Sequence, residues 1–185
     1  MATPLYIIVH HTAVSYNKNP DQFKATNQYH KEQGYSLSSL GFYCGYQYEI
    51  NKEGKVYQAR KDDEKGAHTI GRNLDSIGVS LDGNFDLEMP TENQIKSLIS
   101  LVKQKMAQYA IPIEKVVPHR FYATYSLAKQ GVQAPNTTKW KTWDNTQPYK
   151  SCWGKLLGDD WLKNLLNPLT KDQIKGQIIN LLNQL

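Results

Sequence analysis

Cysteine is scarce in this chain: Cys44 and Cys152 are its only two among 185 residues, too few for a disulfide framework. The N-terminus lacks the succession of charged, apolar and cleavage regions that marks an export signal. The opening apolar run, residues 5–9, is far too short to span a membrane. The expectation is a chain made in the cytoplasm without a signal peptide and without a stable membrane anchor. No dense basic cluster occurs either, so the net charge of +5 (22 Lys and Arg against 17 Asp and Glu) is diffuse. Diffuse positive charge argues against a nucleic-acid partner and suits an acidic polymer. No internal repeat is present, which excludes solenoids and arrays.

Aromatics, by contrast, are plentiful, with 12 tyrosines and four tryptophans. Such density lines a groove that meets sugars or peptides, or simply packs the interior. The length suits one domain with a sizeable core. Residues 5–9 (LYIIV), bounded by Pro4 and a pair of histidines, read as a buried strand. Asn19-Pro20 reads as the N-cap and first turn of a helix that Gly34 stops. Residues 43–50 (YCGYQYEI) and 56–60 (VYQAR) read as hairpin arms around NKEGK, and 76–83 (SIGVSLDG) as a further strand. Thr91 and Gln94 form a capping box, after which Ile95, Leu98, Ile99, Val102, Met106 and Tyr109 recur at helical spacing. Residues 115–119 (KVVPH) read as a strand ending at Pro118–His119.

Strands alternating with helices predict an α/β fold, a single domain over residues 1–167 with a central mixed sheet covered by helices. Residues 121–150 break the rhythm and read as a long insertion. A second capping box, Thr170 and Gln173, opens a C-terminal amphipathic helix over 168–185 with Ile174, Ile178, Leu181, Leu182 and Leu185 on one stripe.

His10 and His119 each stand where a predicted strand stops, held by a rigid sheet yet open to solvent. Of the adjacent pair His10 and His11, only one can face a given site, because neighbouring strand residues point to opposite faces. Alone, such histidines satisfy a strand terminus. Cys152, in YKSCWGK, changes the reading, since a thiolate and two neutral imidazoles suit Zn²⁺ and leave a fourth position for water, as catalytic zinc requires.

The segments IIVHHTA, HKEQGY, GYQYEINKEGKVYQAR, GAHTIGRNLDSIGVSLDGNFD, TENQIKSLISLV, VVPHRFY and KSC occur in an order that resembles the zinc-dependent N-acetylmuramoyl-L-alanine amidases. That type 2 amidase family shares its fold with the peptidoglycan recognition proteins. The likeness is greatest to bacteriophage amidase-type lysozymes and covers residues 5–157 apart from the insertion. The resemblance implies His10, His119 and Cys152 as metal ligands, with His10 rather than His11 taking the first place. Non-catalytic recognition proteins of this fold typically lack the cysteine. It further implies Tyr46 as the residue that orients water or passes a proton, and Lys150 as the cation that stabilises a tetrahedral oxyanion. His68 falls on a position near the substrate, as a substrate contact or oxyanion support.

The remaining residues of these segments read structurally: His11 as a buttress, His30 on a helix surface or cap, and Cys44 as a small buried hydrophobe. Gln47 stands where many relatives have histidine, and Trp153 where proline is usual. Trp140 and Trp143, in the insertion, read either as walls of a groove that stack on sugar rings or as plain packing residues. The implied activity is zinc-dependent hydrolysis of the amide between N-acetylmuramic acid and L-alanine in peptidoglycan, by a monomeric phage endolysin acting on the bacterial wall. A non-catalytic peptidoglycan-binding module and a cytoplasmic muropeptide-recycling amidase are the rival readings; the recycling branch usually has aspartate as its third ligand.

Overall fold

A computed structural model describes residues 3–15, 21–122, 152–158 and 160–168, with Lys175, Ile179 and Leu182 helical beyond them. Five strands form one sheet in the order β3-β2-β4-β1-β5, namely β1 (Tyr6–His11), β2 (Tyr48–Ile50), β3 (Val56–Gln58), β4 (Ser76–Leu81) and β5 (Val116–Pro118). β1 pairs in parallel with β4 and β5, and β4 with β2, while β2 and β3 are antiparallel. The sheet is mixed, as the alternation of elements predicts.

β1 is central, and Ile7, Ile8 and Val9 are fully buried on both of its faces, as a covered parallel strand requires. On one face Ile7 and Val9 join Ile77, Val79 and Leu81 of β4 against helix α2 (Glu92–Tyr109), which contributes Leu98, Leu101 and Val102. The capping box of α2 is formed as expected, Thr91 Oγ1 accepting from the Gln94 amide at 3.2 Å and Gln94 Oε1 from the Thr91 amide at 3.1 Å. A short helix α3 (Trp161–Leu166) packs Leu162 and Leu166 into the same core. On the other face, the alternate β4 residues are small: Ser76, Gly78 and Ser80. That small-residue floor leaves room for polar side chains beside β1.

Helix α1 (Gln22–Glu32) starts later than its sequence signal. Asp21, not Asn19, is the N-cap, its carboxylate accepting from the Lys24 amide at 3.1 Å, and Asn19-Pro20 lie outside the described residues. Glycine at 34, with φ +75°, ends the helical turn as expected.

The strand expected over 43–50 is only three residues long. Side chains of α1 take the place of ladder partners: Asn27 Oδ1 accepts from the amides of Tyr43 and Cys44, and His30 Nδ1 from that of Gly45. His30 is therefore buried inside the domain rather than on a helix surface. Its partner strand is likewise cut short, because the amides of Ala59 and Arg60 both turn to the carbonyl of Gln47. β4 stops at Leu81, and the final residue of the last expected strand, His119, opens a 3-10 turn over His119–Phe121. Residues 123–151, which hold most of the insertion with Trp140, Trp143 and Lys150, lie outside the described residues, as does most of the C-terminal stripe.

Candidate metal centre

The two-residue period of β1 separates the adjacent histidines. His11 falls on the Ile7/Val9 face, where its Nδ1 accepts from the Phe85 amide at 3.1 Å. Burial pushes its pKa down to about 4, against a smaller upward pull from Asp86. His10 falls on the opposite face, in register with Ser80. β5 runs alongside with Val9 opposite Pro118, so His119 emerges next to His10, with ring centroids 4.3 Å apart.

Cys152 reaches this place through a clamp that the residue spacing does not reveal. The Arg120 amide donates to the Cys152 carbonyl at 2.6 Å. The Arg120 guanidinium donates to the carbonyls of Gly154 and Leu157 and lies over the Trp153 ring. Trp153 is 1% exposed and donates its indole N–H to Leu157. From the other side, Phe85 accepts from the Leu156 amide, and Asp86 from that of Lys155. Gly154, at φ +120°, permits the approach, since a Cβ there would stand 2.3 Å from Cβ of Phe85. His11 thus holds Phe85, and Phe85 helps hold the segment that carries Cys152.

The outcome is a convergent set. One ligand atom from each of His10, His119 and Cys152 lies within 4.8 Å of the others. Cys152 Sγ is 3.8 Å from His10 Nδ1. Tetrahedral zinc with ordinary Zn–S and Zn–N lengths sets a thiolate and an imidazole nitrogen about 3.5 Å apart. The donor set and its spacing fit zinc. Among the described residues it is the one such group of three found.

Two more rings, Tyr46 and His68, stand against His10. Tyr46 is 5.0 Å from His10 between centroids and 5.5 Å from His30. Burial holds its phenol well above the usual pKa, with the nearby Cys152 charge acting in the same direction, so the hydroxyl keeps its proton at neutral pH. His68 stands edge-on to His10, its Nδ1 3.1 Å from His10 Nε2. Burial lowers its pKa to about 3, a backbone hydrogen bond at Ser76 opposing. Cys44 is fully buried in a cluster with Phe23 and Ala59 against which Tyr46 packs, and burial pushes its thiol pKa up, as suits a packing residue.

Several contributors have structural roles that the sequence does not mark. Asn73 Oδ1 accepts from the amides of both His68 and Thr69 and so shapes their loop. Gln47 is fully buried. Its amide oxygen accepts from the Gly78 N–H and its amide nitrogen donates to the Glu64 carbonyl, so it pins β2 to β4. Glu49 shares a sheet row with Ser80 and His10, and forms a buried acidic pair with Asp82.

The family model described as N-acetylmuramoyl-L-alanine amidase matches residues 1–150, which include His10 and His119 and stop short of Cys152. Peptidoglycan-recognition protein SC2 of Drosophila melanogaster is 30% identical over 145 residues, 76% of this chain and 74% of its own length. Among solved structures, the N-acetylmuramoyl-L-alanine amidase LysC from Clostridium intestinale is 29% identical with a TM-score of 0.56, covering 71% of this chain and 88% of that one. Drosophila PGRP-LB, 20% identical, superimposes with a TM-score of 0.56 over 81% of this chain and 86% of its own, a likeness of fold. By motif order, sheet and family match, the chain belongs to the N-acetylmuramoyl-L-alanine amidase family of type 2, whose fold is that of the peptidoglycan recognition proteins.

Proposed function

We propose that this protein is a zinc-dependent N-acetylmuramoyl-L-alanine amidase that cuts the amide between N-acetylmuramic acid and L-alanine of peptidoglycan, as a phage endolysin. The observation that carries this is the convergence of His10, His119 and Cys152 within 4.8 Å, a thiolate added to two imidazoles at the ends of β1 and β5. A binding module needs no such donor set. When bound there, zinc supplies a Lewis acid and a water whose pKa falls to about 7.

The chain's own residues do the rest. The adjacent His10 and His119 sit on rigid strand ends, so their donor atoms are set before substrate arrives. Tyr46 retains its phenolic proton and acts as a hydrogen-bond donor that orients water or receives the developing oxyanion. Lys150, outside the described residues, supplies the cation for that oxyanion by its place two residues before Cys152. The net charge of +5 draws the enzyme to an anionic wall. The likeness to a solved structure described as an endolysine amidase from Clostridium intestinale, 29% identical, supports the endolysin reading.

The test is release of free stem peptide from purified peptidoglycan by wild type, chelator-treated protein and Cys152→Ala. Activity lost in both treated samples and restored to the chelated one by zinc supports the amidase. Wall binding by all three samples without peptide release overturns it in favour of a recognition module.

A further inference from the structure

Both ring nitrogens of His68 already face protein groups. Nδ1 is 3.1 Å from His10 Nε2 and 3.0 Å from Thr69 Oγ1, and Nε2 is 3.3 Å from Ser76 Oγ. Ser76 Oγ in turn donates to the Arg72 carbonyl. The ring occupies a slot that only glycine leaves open: a Cβ at Gly78 would stand 2.6 Å from His68 Cδ2, and one at Gly66 2.5 Å from the same atom. Its loop is fixed by Asn73, and the ring is nine-tenths buried. A histidine so enclosed is built to hold a neighbour.

We propose that His68 is a positioning residue, whose Nδ1 accepts the Nε2 proton of His10 and commits His10 to ligate through Nδ1. The assignment rests on the zinc reading above and follows from direction. His10 Nδ1 faces the Cys152 sulfur, and His10 Nε2 faces His68. A ligating nitrogen must be bare, so the other nitrogen of His10 carries the hydrogen. His68 then accepts at Nδ1, is protonated at Nε2, and donates to Ser76, whose hydroxyl hydrogen goes to Arg72. One tautomer of each ring satisfies His10, His68, Ser76 and Arg72. Thr69 Oγ1, 3.5 Å from His10 Nε2, is a second acceptor beside His68 Nδ1 for the same proton. Partners of this kind set the orientation and basicity of a ligating imidazole. The resemblance gives His68 to the substrate; here its ring nitrogens face His10, Thr69 and Ser76.

Zinc-loaded protein, His68→Leu, His68→Asn and Gly78→Ala separate these roles. The readouts are zinc affinity by chelator competition and the Co²⁺ absorption spectrum. Imidazole ¹⁵N shifts report the tautomers in wild type. Failure of wild type to take one zinc that depends on Cys152 would sink the site itself. Given that zinc, His10 is expected to be protonated at Nε2. His68→Leu is expected to weaken zinc binding about 10–100-fold. His68→Asn, which keeps an acceptor oxygen near the place of Nδ1, should stay within about threefold of wild type and keep its cobalt spectrum. Gly78→Ala, with His68 intact but displaced, should weaken zinc and covers the case in which His68→Leu does not fold. The proposal is overturned if His10 ligates through Nε2, or if His68→Asn is as weak as His68→Leu. It is equally overturned if the His68 variants raise KM for peptidoglycan with zinc affinity unchanged, which returns His68 to the substrate.

Discussion

Replacing Glu49 and Asp82 together by glutamine and asparagine should change how stability depends on pH. Glu49 is fully buried on β2 and Asp82, just after β4, is 4% exposed. Neither Glu49 oxygen, nor Oδ1 of Asp82, has a hydrogen-bond donor within ordinary geometry. Desolvation is the largest cause raising both pKa values. For Glu49 the Asp82 charge adds to it and Thr26 opposes; for Asp82 the protonated Glu49 opposes it by favouring the charged form, while the charges of Glu53 and Asp21 add to it. Gln94, from α2, donates to the Asp82 backbone carbonyl rather than its carboxylate.

Asp82 is pushed up to about 7 and Glu49 well above its ordinary value. Carboxyl groups with raised folded pKa keep protons that the unfolded chain releases above about pH 4, so they favour the fold at low pH and disfavour it as pH rises. Each retained proton gives a slope of about 1.4 kcal/mol per pH unit, or about 3 kcal/mol between pH 5 and 7. Buried His30, lowered to about 4, works oppositely: the folded state excludes its proton, so its cost fades as pH rises toward 6.5. The wild-type curve therefore mixes two signs, and the difference between proteins isolates the pair.

Urea unfolding of wild type and the Glu49→Gln/Asp82→Asn protein at pH 5, 6, 7 and 8, at constant zinc, should show the variant gaining at least about 3 kcal/mol on wild type from pH 5 to 7, the share of the Glu49 proton alone, with Asp82 adding to it. A difference constant within about 0.5 kcal/mol over that range would refute the reasoning, since both carboxylates would then ionise in the fold without penalty.

Three further outcomes follow from named contacts. His11→Ala orphans the Phe85 amide and should cost about 1–3 kcal/mol by denaturant titration while one zinc still binds, because His11 is on the wrong face to ligate. Lys105→Met removes one partner of a buried pair 2.6 Å apart; Asp62 keeps the hydroxyls of Tyr48 and Tyr109, so a loss of about 3 kcal/mol is expected in the same assay. Tyr46→Phe should lower kcat on peptidoglycan about 100-fold with zinc affinity within a factor of about two; equal loss of zinc would place the phenol's role in the metal site rather than in the reaction.

Local patterning made much of the scaffold legible. The alternation in SIGVSL assigns Ile77, Val79 and Leu81 to the core and Ser76, Gly78 and Ser80 to the opposite face. The same period in YIIVHH sends His10 and His11 apart, and the Thr91/Gln94 box starts α2 where the sequence marks it. These signals act over two to four residues, where backbone geometry alone decides direction.

Strand length was less legible. Tyr43, Cys44 and Gly45 have strand-like sequence, but their amides are claimed by Asn27 and His30 from an element earlier in the chain. The metal centre divides the same way. Residue chemistry nominated His10, His119 and Cys152. Their meeting depends on Arg120 gripping Gly154 and Leu157, and on His11 holding Phe85. The slot for His68 likewise depends on Gly66 and Gly78, which flank it from different segments. Such partners lie tens of residues apart, and no period along the chain encodes a hydrogen bond between segments that only packing brings together. By itself the sequence determined which face each strand residue takes and which atoms are fit to bind a metal; the tertiary structure alone decided which of them meet, and what holds them there.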